Sequence, residues 1–94
     1  MSPAPVPNYV ISEHALIEMK RRGLGEEVVR SVLVAPEQRL EVRSGRVVLQ
    51  SRVEMGDPAK TYLVRVFLDT DREPAEVLTA YRTSKISKYW REEP

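Results

Sequence analysis

The chain of 94 residues contains no cysteine, one histidine and four glycines. Without cysteine it forms no disulfide bond and no thiolate zinc site, and one histidine does not supply a multi-histidine metal site. The glycines follow neither the phosphate-loop nor the dinucleotide-binding pattern. No apolar run approaches the roughly 20 residues that cross a bilayer. We therefore expect no metal, no cofactor and no membrane partner, and a cytoplasmic location is the simplest expectation.

The charges almost cancel, since 15 Lys and Arg face 14 Asp and Glu for a net charge of +1. A strongly basic nucleic-acid binder has a pI above roughly 9, whereas the pI here is about 8.1. A nucleic-acid role therefore depends on where the charges lie. The length indicates one domain, over residues 12–91. Alternating prolines predict a disordered leader over residues 1–11.

Two short helices are predicted at the start of the domain. Ser12 is a good N-cap for the first helix, which ends at Gly23. The second helix opens at Glu26 after a glycine-containing link, and Pro36 ends it. Apolar residues recur at helical spacing in both segments, so the two helices are predicted to pair and to cover a sheet.

From residue 38 the apolar period changes from 3.6 to 2, and β-branched residues dominate, which indicates strands. Four strands are predicted, at residues 38–43, 46–55, 60–69 and 75–83. Their short connections favour a four-stranded antiparallel meander, because parallel pairing needs longer crossovers. Ser84 is expected to cap a final short helix. The predicted fold class is α+β, with an N-terminal helix pair and a short C-terminal helix.

His14 is the one side chain whose ordinary pKa lies near neutrality, so it is the natural candidate for a general acid or base. It lies in the first turn of the first predicted helix, near Glu18 and Arg21 on its polar side. The alternative is that His14 simply hydrogen-bonds to the backbone or to a carboxylate near the helix start.

The segment from residue 77 to residue 91 carries only positive charge, on Arg82, Lys85, Lys88 and Arg91. It also contains three large aromatic residues, Tyr81, Tyr89 and Trp90. Single-stranded nucleic acid requires this combination, because cations bind its phosphates and flat rings stack on its bases. We therefore expect Arg82, Lys85 and Lys88 to bind RNA. The alternative is that Tyr89 and Trp90 belong to the core, where large aromatic residues usually lie.

Arginines interrupt the predicted strands at positions 52, 65 and 82. On a shared open face, their guanidinium groups would bind a phosphodiester bidentately. Ordinary solvation of these arginines is the alternative. The sequence leaves the register open, because a shift of one residue exchanges the two faces of a strand.

Two stretches, SEHALIEMKRRGL and VLTAYRTSKISKYW, resemble the family known as domain of unknown function 4258. The matching signatures are His14 with Arg22 and Gly23 at the front, and Thr79 with Tyr81 at the back. This family is similar in architecture to the BrnT toxins and, more distantly, to RelE and ParE toxins and the barnase-like ribonuclease group.

The resemblance implies a toxin-like domain that cleaves RNA without a metal, using the RNA 2′-hydroxyl as the nucleophile. It implies His14 as base or acid, with Arg22 and Arg65 offsetting the phosphate charge. Thr79 and Tyr81 would position the phosphate, and Lys85 and Lys88 would hold the RNA backbone. The implied partners are RNA or the ribosome, a cognate antitoxin, and a second copy of the chain in a homodimer.

The rival function is a non-catalytic module that binds a protein or nucleic acid through its sheet. The two functions differ in one geometric requirement. Catalysis by His14 requires that its imidazole meet Arg65, Thr79 and Tyr81 in one hollow, whereas the binding module has no such requirement.

Overall fold

A computed structural model describes residues 2–92, which form three helices and a five-stranded sheet of strand order β1-β5-β4-β3-β2. The helices are α1 (Glu13–Arg21), α2 (Glu26–Val34) and α3 (Ile86–Tyr89). The strands are β1 (Tyr9–Ile11), β2 (Gln38–Arg43), β3 (Arg46–Met55), β4 (Lys60–Asp69) and β5 (Ala75–Thr83). The α+β class is thus confirmed, as are the N-terminal helix pair and the short C-terminal helix. None of the described helices is long and apolar enough to cross a bilayer.

Local signals set the ends of α1. The Ser12 hydroxyl accepts a hydrogen bond from the backbone N–H of Ala15 at 3.0 Å, as expected of an N-cap. Gly23 follows the helix with a φ of +66°, a left-handed conformation that glycine adopts without steric cost. The predicted start and end of the first helix are therefore confirmed.

Strands β2 to β5 form the predicted antiparallel meander, with the predicted bounds. Gly45, at φ +79°, provides the left-handed residue of the tight β2–β3 turn. The longest pairing joins β3 to β4, from Arg46 opposite Asp69 to Met55 opposite Lys60.

The prediction of four strands, all antiparallel, is wrong, because β1 adds a fifth strand that runs parallel to β5. Tyr9 lies opposite Ala75 and Ile11 opposite Val77. The predicted disordered leader, residues 1–11, therefore includes the three residues of β1. Three residues are too few to show an alternating pattern, and this pairing joins segments more than sixty residues apart. Further upstream, the N–H of Val6 donates to the carbonyl of Leu33 at 2.7 Å.

Helices α1 and α2 pack on one face of the sheet, which we call the helix face. The core there is built from buried side chains of both layers: Ala15, Met19, Leu24, Val29, Val32, Leu33, Val47, Leu49, Val64, Val66, Leu68, Val77 and Ala80. Side chains alternate along a strand, so the residues between these core positions point to the opposite face.

Helix α3 lies on that opposite face, which we call the α3 face. Its strand residues include Gln38, Gln50, Arg52, Leu63, Arg65, Phe67, Thr79 and Tyr81. The predicted cap of α3 is wrong, since Lys85 and not Ser84 precedes the helix as its N-cap. The N–H of Lys85 donates to the Thr83 hydroxyl at 3.1 Å, so a local turn occupies the position where the helix was expected to begin.

Candidate functional site

The strand register brings Arg65 to the middle of the α3 face. Gln50 of β3 lies opposite it on one side, and Tyr81 of β5 lies opposite it on the other. Phe67 follows two residues later on the same strand, and Tyr89 of α3 lies over the group. We call these five residues the Arg65 cluster.

Hydrogen bonds orient the Arg65 guanidinium from two sides. Its Nε donates to the side-chain oxygen of Gln50 at 2.9 Å, and its Nη1 donates to the Tyr81 hydroxyl at 2.7 Å. The carbon at the centre of the guanidinium lies 4.5 Å from the ring centre of Tyr89 and 5.5 Å from that of Phe67. Among residues 2–92, no carboxylate lies within ion-pair distance of Arg65. The cluster therefore presents a fixed positive charge among aromatic rings.

Two glutamines, Gln50 and Gln38, connect Arg65 to the C-terminal segment, which here means residues 89–91. Gln50 is fully buried, and its Nε2 donates both to Gln38 Oε1 at 2.7 Å and to the carbonyl of Tyr89 at 3.1 Å. Gln38 in turn donates to the carbonyl of Arg91 and accepts from its N–H. A buried amide requires such partners, so the two glutamines fix both Arg65 and the segment that carries Tyr89.

Tyr89 lies in a positively charged environment at the surface of the cluster. Its ring centre is 6.3 Å from that of Tyr81, and the amine of Lys88 lies 5.4 Å from its own ring centre. Hydrogen bonding with Tyr81 and the positive charges of Lys88 and Arg65 lower the pKa of the Tyr89 hydroxyl below its ordinary value. Tyr89 is thus a better hydrogen-bond donor than an ordinary tyrosine.

A second arginine–aromatic pair lies beside the cluster. The Arg52 guanidinium stacks on the Trp90 ring at 4.1 Å from the ring centre. Unlike Arg65, Arg52 has a carboxylate partner, because its Nη2 lies 2.9 Å from Glu37 Oε2. This pairing lowers the pKa of the Glu37 carboxyl below its ordinary value, chiefly through the hydrogen bond from Arg52.

The structure brings together only some of the residues predicted to form the site. Arg65 and Tyr81 are in direct contact. Lys88 lies beside them on α3, and Lys85 immediately precedes that helix with an exposed side chain. These four residues share one region of the α3 face.

Arg22 and Thr79 meet at the free edge of β5 and not at Arg65. The Nη1 of Arg22 donates to the Thr79 hydroxyl at 3.2 Å and to the carbonyl of Ala80 at 2.9 Å. Its Nη2 lies 3.2 Å from Glu18 Oε1. Arg22 therefore shares the Glu18 carboxylate with Arg21, and its contacts bind the end of α1 to the strand edge.

Arg82 lies on the helix face, because it is opposite Val64 of the core. Its guanidinium lies over the ring of Tyr62, 4.9 Å from the ring centre. The sequence groups Arg82 with Lys85 and Lys88, but the register turns it to the other side of the sheet.

His14 does not meet Arg65 or Tyr81. It is exposed in the first turn of α1, and its neighbour Ala15 packs in the core of the helix face. The sheet therefore separates the imidazole from the Arg65 cluster. The convergence that catalysis by His14 requires is absent.

The two glutamines are the site residues that the sequence analysis missed. Their signal is weak, since a glutamine within a strand is normally read as a solvent-facing residue. Only the register places Gln38 opposite Gln50 on the same face, where Gln50 Nε2 donates to Gln38 Oε1.

Comparison with known proteins found no match: no protein-family model, curated protein or solved structure is similar to this chain. The resemblance to the family of unknown function 4258 and to toxins therefore stays a prediction from the residues quoted above. Within residues 2–92 no three histidine or acidic side chains gather as a metal site would require.

Proposed function

We propose that this protein is a toxin-like RNA-binding domain that takes a phosphodiester of single-stranded RNA at the Arg65 cluster. The observation that carries the proposal is the half-buried Arg65 guanidinium, oriented by Gln50 and Tyr81 and left without a carboxylate partner among the described residues. A charge held in this way requires an anion more than a solvated surface arginine does.

The geometry of Arg65 suits a phosphate. A guanidinium has five N–H groups in a planar fork, and Gln50 and Tyr81 occupy one at Nε and one at Nη1. The remaining groups suit phosphate oxygens, which arginine binds bidentately. Lys88, and Lys85 before it, supply further positive charge for neighbouring phosphates.

The aromatic residues favour a single strand over a duplex. Tyr89 and Trp90 are partly exposed and adjacent in the chain, and Tyr89 belongs to the Arg65 cluster. Unpaired bases stack on such rings, whereas the bases of a duplex are already stacked on each other.

RNA cleavage is the second candidate, and the hydroxyls of Tyr81 and Tyr89 beside Arg65 favour it. In this reaction the RNA 2′-oxygen attacks the adjacent phosphorus and loses its proton to a water molecule that acts as the base. The bond to the 5′-oxygen breaks, that oxygen takes a proton from an acid, and a cyclic phosphate remains. Tyr89, with its lowered pKa, is the candidate acid, and Arg65 offsets the charge of the crowded phosphate.

Two arginine variants test the binding proposal, because they remove the same charge from opposite faces. Arg65→Gln should weaken binding of a short single-stranded RNA by roughly 10- to 100-fold, the value of a charge-assisted contact. It should also reduce the slope of log affinity against log salt by about 1. Arg82→Gln and His14→Ala should bind like the wild type. Binding is followed by fluorescence anisotropy at several salt concentrations.

Equal losses in the two arginine variants would show that only net charge matters for RNA binding. No binding at all would leave the docking module as the function.

The cleavage candidate needs a separate assay, in which total RNA and ribosome-bound messenger are incubated with the protein. Cleavage must stop with 2′-deoxy substrate and in Arg65→Gln but persist in His14→Ala. Expression that arrests growth, with relief by a co-expressed neighbouring gene product, would support the toxin-like role.

A further inference from the structure

The Arg52–Trp90 pair borders an open groove of about 710 Å³ that the phosphate site does not use. Besides these two residues, the groove is lined by Gln38 and Arg39 of β2 and by Arg91 after α3. Trp90 is half-buried, and Arg52 lies over one face of its ring. An indole held in this way by a guanidinium is a rigid, flat wall.

Some charged residues around the groove are in ion pairs, and others are not. Arg52 is compensated by Glu37, and Glu92 adds a second carboxylate to the lining. Within residues 2–92, Arg91 is in no ion pair. Arg39 lies opposite Leu49 of the core, so the register turns its side chain to the helix face. The groove therefore combines a flat wall with an uncompensated cation, which is the requirement for a base with its attached phosphate.

The groove lies next to the Arg65 cluster. Tyr89 and Trp90 are consecutive residues, and the ring of each faces an arginine of the α3 face. Arg65 is opposite Gln50 on β3, and Arg52 is two residues further along that strand. Diagonal neighbours of this kind are roughly 7–8 Å apart, a step comparable to the length of one extended nucleotide.

We propose that this groove is a nucleobase subsite, in which the base next to the phosphate on Arg65 stacks against Trp90 while Arg91 binds the following phosphate. The proposal rests on the proposed function, because it extends the same RNA across the α3 face. The RNA would then run from the Arg65 cluster over the end of α3 to the edge strand β2.

The chain contains a single tryptophan, so intrinsic fluorescence reports directly on the subsite. Wild-type protein is titrated with unstructured oligouridine and, separately, with an abasic ribose-phosphate strand of the same length. Stacking should quench the Trp90 emission with oligouridine but not with the abasic strand. The abasic strand should also bind roughly 5- to 100-fold more weakly, since it lacks base stacking.

Two variants complete the test. Trp90→Leu should lose the same factor for oligouridine and none for the abasic strand, whereas Trp90→Phe keeps a flat ring and most of the affinity. Thermal unfolding checks that both variants fold, and the wild-type titrations stand even if Trp90→Leu does not.

The outcomes separate this proposal from the one it rests on. If both strands bind equally without quenching, while Arg65→Gln still weakens them, the subsite is wrong and the phosphate site stands. If neither strand binds, both proposals fall.

Discussion

The buried glutamine of the site provides a stability test that does not depend on any ligand. Gln50→Leu keeps the approximate volume of the side chain but removes three hydrogen bonds, to Gln38, to the carbonyl of Tyr89 and from Arg65. Neutral hydrogen bonds contribute about 0.5–1.5 kcal/mol each and those of charged groups about 1.5–3 kcal/mol. The buried apolar leucine offsets part of this loss. We expect a net destabilisation of about 1–4 kcal/mol.

For a domain of this size, each kcal/mol lowers Tm by roughly 4–8 °C, so Tm should fall by about 4–30 °C. Urea unfolding followed by Trp90 emission measures the free energy of unfolding and also reports whether the C-terminal segment is still docked. Glu54→Gln is the control, because Glu54 is exposed on the same strand and should change stability by less than about 0.5 kcal/mol.

A double variant sharpens the test. In Gln50→Leu, the amide of Gln38 loses its partner and faces an apolar side chain. Replacing Gln38 by leucine as well removes this unsatisfied amide, so the combined loss should be smaller than the sum of the single losses. A Gln50→Leu protein as stable as the wild type, with unchanged Trp90 emission, would refute the role assigned to the glutamine pair.

Two further predictions concern ion pairs. Arg22→Gln should destabilise the domain by about 1–3 kcal/mol in urea unfolding, because it removes the charged donor from the Ala80 carbonyl. Arg21→Gln, whose side chain is 69% exposed, should have little effect, and equal effects would contradict the edge contact. The Glu37 carboxyl has a lowered pKa in the folded state, so its stabilising pair with Arg52 is present above its ordinary pKa of 4.5 and lost as the pH falls through the folded value. The Tm difference between wild type and Glu37→Gln should therefore be larger at neutral pH than at about pH 3, and a constant difference would contradict the pairing.

Local signals were sufficient for most of the fold. The Ser12 cap, the left-handed Gly23 and the change of apolar period at residue 38 each depend on a few neighbouring residues. Such features are encoded within one turn or one strand, and the structure confirms them. The strand β1 is different, because its three residues pair with β5, which is distant in the chain, and no local sequence pattern predicts this pairing.

The candidate site depends on register, which the sequence left open. Arg65 and Arg82 look alike in the sequence, yet the pairing of β4 with β5 turns them to opposite faces. The same pairing joins Arg65 to Tyr81. The sequence predicts His14 from its chemistry alone, whereas the sheet that separates it from Arg65 is a property of the tertiary structure.

The most direct test of the account is to map where RNA binds. Backbone amide NMR shifts are followed while a short single-stranded RNA is titrated into the protein. The account predicts that the largest changes lie around Arg65, Tyr81 and Tyr89, with little change around His14 on α1. Changes concentrated on α1 and α2, or no saturable change anywhere, would contradict an RNA site on the α3 face.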